Sequence, residues 1–128
     1  MAEVIMTVQR NVRLDSETFL QSSEDFSGSS GEKVAETIPA SSTNFPIAGW
    51  GGFDSAYLKS IWFSADQDCT LAFVSGTHSY DFNLLANGTF LWCDTDGFTN
   101  PFGGEEITAL EVTCTAATEL LGRICVGS

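Results

Sequence analysis

Basic residues are scarce in this sequence. The 128-residue chain has five Lys and Arg residues against 17 Asp and Glu residues, which gives a formal net charge of -12. A surface of this charge repels the phosphates of nucleic acids and the headgroups of anionic lipids. We therefore expect the protein to bind neither nucleic acid nor membranes.

Long apolar runs are also missing. No stretch approaches the roughly 18 consecutive apolar residues that a membrane-spanning helix needs. The first residues, MAEVIMTVQRNVRL, alternate between apolar and polar side chains, whereas a signal peptide has a charged start and a continuous apolar middle. We expect a protein that is made in the cytoplasm and is not secreted.

Groups that carry catalytic or metal chemistry are few. His78 is the only histidine, and no serine lies in a G-x-S-x-G motif. Two acidic pairs, Glu105 with Glu106 and Asp66 with Asp68, have the composition required for glycoside hydrolysis, but neighbouring acids in turns are usually just solvated. We expect no enzymatic activity, no cofactor and no metal site.

The four cysteines are not spaced as zinc ligands. Cys69, Cys93, Cys114 and Cys125 are at least 11 residues apart, and each falls in a predicted strand, whereas zinc ligands usually come as C-x-x-C pairs. Buried free thiols are the simplest interpretation. A disulfide would form if the protein met an oxidising exterior, and the sequence does not indicate which pair would form it.

What the sequence does contain is a series of short apolar stretches separated by turn residues. Residues 4–14 alternate as one long half-buried strand, and Pro46 predicts that its own strand lies at a sheet edge. About eight or nine short strands and no useful helix predict an all-β, single-domain antiparallel β-sandwich or jelly roll over residues 1–128.

Three hairpins are predicted within this sandwich. The central one covers residues 57–74, with a polar turn at 64–68. The second turns at Asn87-Gly88, a pair that favours tight hairpin turns, and the third turns at residues 116–118.

Residues 15–32 differ from the rest of the chain because they are rich in Ser, Gly and acidic residues. This composition predicts a flexible hairpin or arm, with a short strand at 18–21 and a mobile tip at 27–31. Such an arm either connects two strands or docks Phe19 or Phe26 on a partner.

A second aromatic stretch, residues 45–53, combines its aromatic residues with glycine. Trp50 is flanked by glycines and is a candidate for stacking on sugar, whereas Trp62 and Trp92 lie in apolar runs and are predicted to be core residues. Together the two stretches give the candidate partner-binding residues, which are Phe19, Phe26, Phe45, Trp50 and Phe53.

Six blocks after residue 35 form a recognisable pattern: ETIPASST at 36–43, LKSI at 58–61, SADQDCTL at 64–71, LLANG at 84–88, FTNPF at 98–102 and ITALEVT at 107–113. This pattern resembles small proteins encoded near the capsid genes of tailed phages. The resemblance implies a virion component, most simply a decoration protein on the capsid surface, assembled in the host cytoplasm. The implied partner is the major capsid protein or another virion protein, and a homo-oligomer around a symmetry axis fits this role.

Three alternative functions are kept beside this prediction. A tail or fibre component would share the same fold and differ in its position on the particle. A carbohydrate-binding module would use Trp50 to stack on a sugar. A hydrolase would need one of the two acidic pairs to line a cleft.

Overall fold

The computed structural model describes residues 3–48, 50–76 and 78–127, apart from the side chain of Phe19. Within these residues the chain forms twelve antiparallel β-strands and one three-residue 3-10 helix, Ser55–Tyr57. The predicted all-β antiparallel sandwich is confirmed. Eight strands build the sandwich, and the other four form two smaller two-stranded sheets.

The sandwich consists of two four-stranded sheets. The strands of the first sheet, in spatial order, are β3 (Ser30–Ile38), β12 (Thr118–Val126), β6 (Leu58–Ala65) and β9 (Thr89–Cys93). Those of the second sheet are β4 (Ser42–Pro46), β11 (Ala109–Cys114), β7 (Cys69–Ser75) and β8 (His78–Leu84). The smaller sheets pair β1 (Val4–Leu14) with β2 (Glu17–Gly28), and β5 (Phe53–Asp54) with β10 (Glu106–Ile107).

The strand order is that of a jelly roll. When the eight sandwich strands are counted along the chain, the first sheet has the order 1-8-3-6 and the second has the order 2-7-4-5. Most connections therefore cross from one sheet to the other, as in two interlocked Greek keys. Pro46 lies in β4 at the edge of the second sheet, as its missing N–H group predicts.

All three predicted hairpins are wrong in their pairing. The strands flanking each predicted turn, β6 and β7, β8 and β9, and β11 and β12, belong to opposite sheets. The Asn87-Gly88 turn is present, with Asn87 at φ 62°, but it links the two sheets. Alternation and turn residues indicate where a strand ends, and they do not say whether the next strand pairs with it or faces it across the core.

An aromatic cluster centred on Phe73 fills the space between the sheets. The Phe73 ring lies 5.6 Å from Phe63 of the first sheet and 4.9 Å from Phe102, which comes from the loop after β9. All three side chains are fully buried, and the contacts are edge-to-face, the geometry that aromatic rings prefer. Phe73 of the second sheet therefore contacts both the first sheet and the loop after β9.

The predicted position of the tip at residues 27–31 is wrong, because these residues lie at the junction of β2 and β3. The turn of the N-terminal hairpin is instead at Asp15-Ser16, where Asp15 has φ 56°.

Gly28 allows β2 to approach the backbone of β12 closely: a Cβ atom there would lie 2.3 Å from the carbonyl oxygen of Val126. Glycine at this position therefore permits tight packing. Its presence suggested flexibility because the sequence alone does not show which strand packs against it.

We predict that Gly28→Ala lowers the free energy of unfolding by about 1–3 kcal/mol, because the added methyl group overlaps the β12 backbone. Urea denaturation measures this change. Gly51→Ala is the matched control, since its Cβ would meet only a Glu32 side-chain oxygen at 3.7 Å. Equal stability of the two variants would mean that the β2–β3 junction does not pack against β12.

Candidate partner-binding surface

The N-terminal hairpin β1–β2 forms a third layer over the first sheet. Val8 and Phe26 from the hairpin pack with Cys93 of β9 and Cys125 of β12, and all four side chains are buried. These cysteines lie on the outer face of the sheet, because their neighbours along each strand point into the sandwich core. A hydrogen bond of 3.0 Å from the Ser60 hydroxyl to the Met6 sulfur adds a polar contact.

Arg10 fastens the hairpin at the edge of this contact. Its guanidinium donates two hydrogen bonds to the Asp96 carboxylate, at 2.6 and 2.7 Å, and a third to the Cys93 sulfur at 3.3 Å. The hydrogen bonds between the two groups raise the pKa of Arg10 and lower the pKa of Asp96. Both groups therefore stay charged at neutral pH, and the paired geometry fixes the direction of the hairpin.

Beyond Arg10 the hairpin projects from the sandwich. Residues 11–18 and 20–23 are exposed on both faces, so nothing described in the chain covers this half. From Arg10 to Leu14 a strand rises about 3.3 Å per residue, which gives a projection of roughly 13 Å. The hairpin thus has a packed base and a free tip.

The tip carries apolar side chains on the face that is buried at the base. Val12 and Leu14 share the parity of Val8, and Val12 lies directly opposite Leu20. The three tip residues Val12, Leu14 and Leu20 are 51%, 65% and 44% exposed. An apolar group on a projecting element is typical of a surface that binds a partner.

The backbone of the hairpin offers a second means of attachment. Within the described residues, β1 and β2 pair only with each other, so each has an outer edge that is not part of a larger sheet. Such edges can accept an added strand through main-chain hydrogen bonds. We define the apolar tip and these edges as the tip surface.

The structure does not bring the predicted aromatic residues together at one site. Phe26 is buried under the hairpin base, Phe53 is buried in the sandwich core, and Phe45 and Trp50 are half-buried against that core. The side chain of Phe19 lies outside the described residues. As folded, Phe26 and Phe53 have little surface to offer to a partner, because strand-like alternation directs them inward.

Trp50 is a packing residue rather than an open platform. Its ring makes edge-to-face contacts with Phe53 at 5.9 Å and Phe73 at 6.2 Å. Its indole Nε1–H is buried and has no hydrogen-bond acceptor among the described residues. These contacts occupy the ring that the sugar-binding alternative requires.

Trp62, predicted to be a core residue, lies on the outer face of the first sheet. It is half-buried in a groove of about 330 Å³ between the sheet and β1, beside Gln9, Leu91 and Arg123. The sequence pattern missed this position, because an apolar run in β6 does not separate its two faces. Trp92, by contrast, packs against the core as predicted.

One polar cluster combines residue types found in hydrolases. The Glu105 carboxylate accepts a hydrogen bond from the Ser75 hydroxyl at 2.8 Å and contacts His78 Nε2 at 2.8 Å. The glutamate therefore lies between the serine and the histidine, whereas in a Ser-His-Asp triad the imidazole contacts the serine directly. The Ser75 hydrogen bond lowers the pKa of Glu105, which also makes it a poor proton donor at neutral pH.

Other chemical sites are not evident in the part of the chain that the structure describes. These residues contain no group of three or more His, Cys, Asp or Glu side chains arranged to hold a metal ion. No described helix is long and apolar enough to cross a membrane. Comparison with protein-family models, curated proteins and solved structures finds no significant match. The resemblance to phage proteins therefore stays a prediction.

We predict a coupling energy of about 1 kcal/mol between Arg10 and Asp96 in a double-mutant cycle of Arg10→Ala and Asp96→Ala, measured by urea unfolding. The value is modest because both side chains keep some contact with water, being 29% and 19% exposed. The control cycle uses Lys59 and Asp94, which are 3.7 Å apart and more exposed, and should give a coupling near zero. Similar couplings in both cycles would contradict the fastening role of Arg10.

The same ion pair gives a pH prediction. The pKa of Asp96 lies below its ordinary value of 3.8 in the folded protein, so the stabilisation is complete above that value and is lost as pH falls through the folded pKa. The stability difference between the native chain and Asp96→Asn should be constant above about pH 5 and shrink below 3.8. A difference that grows on acidification would contradict this assignment.

Proposed function

We propose that this protein is a non-enzymatic structural component of a tailed-phage virion, a decoration protein that attaches to the outer capsid shell through the tip surface. The observation that carries the proposal is the exposed apolar group Val12, Leu14 and Leu20 on a hairpin that is fastened at its base. The resemblance to proteins encoded near phage capsid genes is the reason for proposing the shell protein as the partner.

The architecture suits attachment without disturbance of the fold. The base of the hairpin is packed on the first sheet, whereas the tip contributes nothing to the core, so a partner can cover the tip without repacking the sandwich. Jelly rolls are common in viral capsid proteins and in lectins, which supports the proposal without deciding it, because a fold hosts many functions. The net charge of -12 favours solubility before docking.

Copy number on the particle tests the virion role directly. Mass spectrometry of purified particles should find roughly one copy per shell subunit, or one per three subunits if a monomer occupies each trimeric site. A few dozen copies per particle or fewer would instead indicate a tail or vertex component. Absence from the particle would overturn the virion role.

We predict that the triple variant Val12→Ser, Leu14→Ser and Leu20→Ser binds undecorated shells roughly 100-fold more weakly or worse, because three apolar side chains no longer become buried. Its urea unfolding midpoint should match the native protein, since these side chains are exposed in the free chain. Sedimentation with shells measures the binding. Substitution suits this test better than deletion of residues 15–32, which would remove Phe26 from the hairpin base.

Leu85→Ser provides the control for this experiment. Leu85 is 68% exposed and lies in the connection between β8 and β9, which is not part of the hairpin. It should bind shells like the native protein. Equal binding by the triple variant and the control would contradict attachment through the tip surface.

The groove at Trp62 favours carbohydrate binding as a second candidate function. A half-buried indole beside Gln9, Thr89 and Arg123 combines a stacking surface with hydrogen-bond donors and acceptors. Glycan-array binding that is lost in Trp62→Ala and kept in Trp50→Ala would support it. Absence of glycan binding by the native protein would remove this candidate.

A further inference from the structure

Two of the four cysteines face each other across neighbouring strands. Cys69 begins β7 and Cys114 ends β11, and the antiparallel register places them directly opposite one another. Both carry free thiols, both belong to the sandwich core, and each is only 7% exposed. Opposite residues of an antiparallel pair project from the same face, so the two side chains point the same way.

The backbone hydrogen bonds show which kind of pair this is. The N–H of Ile47 donates to the carbonyl oxygen of Leu110, so Leu110 directs its backbone groups toward β4 and away from β7. Alternation along β11 gives Cys114 the same orientation as Leu110. Cys114 and Cys69 therefore form a non-hydrogen-bonded pair, in which the Cα atoms are about 4.5 Å apart. This separation lies within the range of disulfides.

The remaining cysteines are placed differently. Cys93 and Cys125 both lie opposite Ser60, one on each side of β6. Two strand spacings therefore separate them, about 9.5 Å, which exceeds the roughly 7 Å limit for a disulfide. Only one of the two cysteine pairs has the geometry to cross-link without backbone movement.

A small oxidant can reach the opposed pair. Cys69 and Cys114 line an open pocket of about 610 Å³ at one end of the second sheet, together with Ser42, Thr70, Leu84 and Thr113. The Cys114 thiol donates to the carbonyl oxygen of Pro39 at 3.4 Å, a weak bond that rotation of the side chain would break.

We infer that Cys69 and Cys114 are an oxidisable pair that closes a cross-strand disulfide between β7 and β11 on exposure to a small disulfide such as oxidised glutathione. One protein thiolate attacks the oxidant, forms a mixed disulfide and releases one glutathione thiolate. The second protein thiolate then attacks the mixed disulfide and releases the other. The two protein thiols lose two protons and two electrons, and the glutathione disulfide is reduced to two thiols.

The surroundings of Cys69 make this reaction slow at neutral pH. Burial, with smaller contributions from Cys114, Asp68 and Asp66, raises the pKa of Cys69 to about 11. The thiol is then almost fully protonated at pH 7, and the thiolate is the reacting form. Cross-linking should therefore be at least about tenfold faster at pH 9 than at pH 7.

Peptide mapping tests the inference on the intact protein. The folded chain is treated with oxidised glutathione at pH 9, and remaining thiols are alkylated after unfolding. Cleavage after Asp and Glu then places each cysteine in a separate peptide, namely 69–81, 82–94, 112–119 and 120–128. We expect a cross-link between peptides 69–81 and 112–119, with Cys93 and Cys125 alkylated.

Two variants test which cysteines form the cross-link. Cys93→Ala with Cys125→Ala should still form the cross-link, whereas Cys69→Ala should not. The oxidised native chain should resist urea better than the reduced chain, with an unfolding equilibrium constant roughly 100-fold smaller. A cross-link that involves Cys93 or Cys125, or alkylation of all four cysteines after prolonged oxidation, would overturn the inference.

Discussion

Burial of one aromatic cluster between two sheets is the interaction on which the rest of the structure depends. Phe73 is fully buried and touches Phe63 across the sandwich, Phe82 on its own sheet and Phe102 from a loop. Because most successive strands belong to opposite sheets, neither sheet can be completed from one continuous stretch of chain. The aromatic contacts hold the two sheets at a fixed distance, and the hairpin layer is then positioned on the outer face of the first sheet.

Much of the fold follows from the sequence because strands are local features. Alternation in residues 4–14 predicts β1 correctly, and Pro46 places its strand at a sheet edge. The pairing of strands is not local. Residues such as Phe63 and Phe73 look alike whether their strands are hydrogen-bonded neighbours or face each other through the core, since both arrangements bury every second side chain.

The candidate surface is harder to predict for a related reason. The pattern in β1 shows that Val8 and Val12 share a face, and it treats both as buried. Whether that face is covered depends on where the first sheet ends, which is marked by Arg10 meeting Asp96, 86 residues away in sequence. The interruption of an apolar face by arginine was the one local signal of this boundary. Among the aromatic residues chosen as candidates, Phe26, Phe45, Trp50 and Phe53 pack against the two cores.

The position of β12 has a consequence for how the chain reaches its folded state. This strand lies between β3 and β6, two segments that come much earlier in the chain, and it also supplies Cys125 beneath the hairpin. A growing chain that has not yet added residues 118–126 leaves two strand edges and one apolar face uncovered. Closure of so long a loop is slow, and such an intermediate is prone to aggregate. The hairpin is synthesised first, yet it can pack only after the last strand of the sandwich is in place.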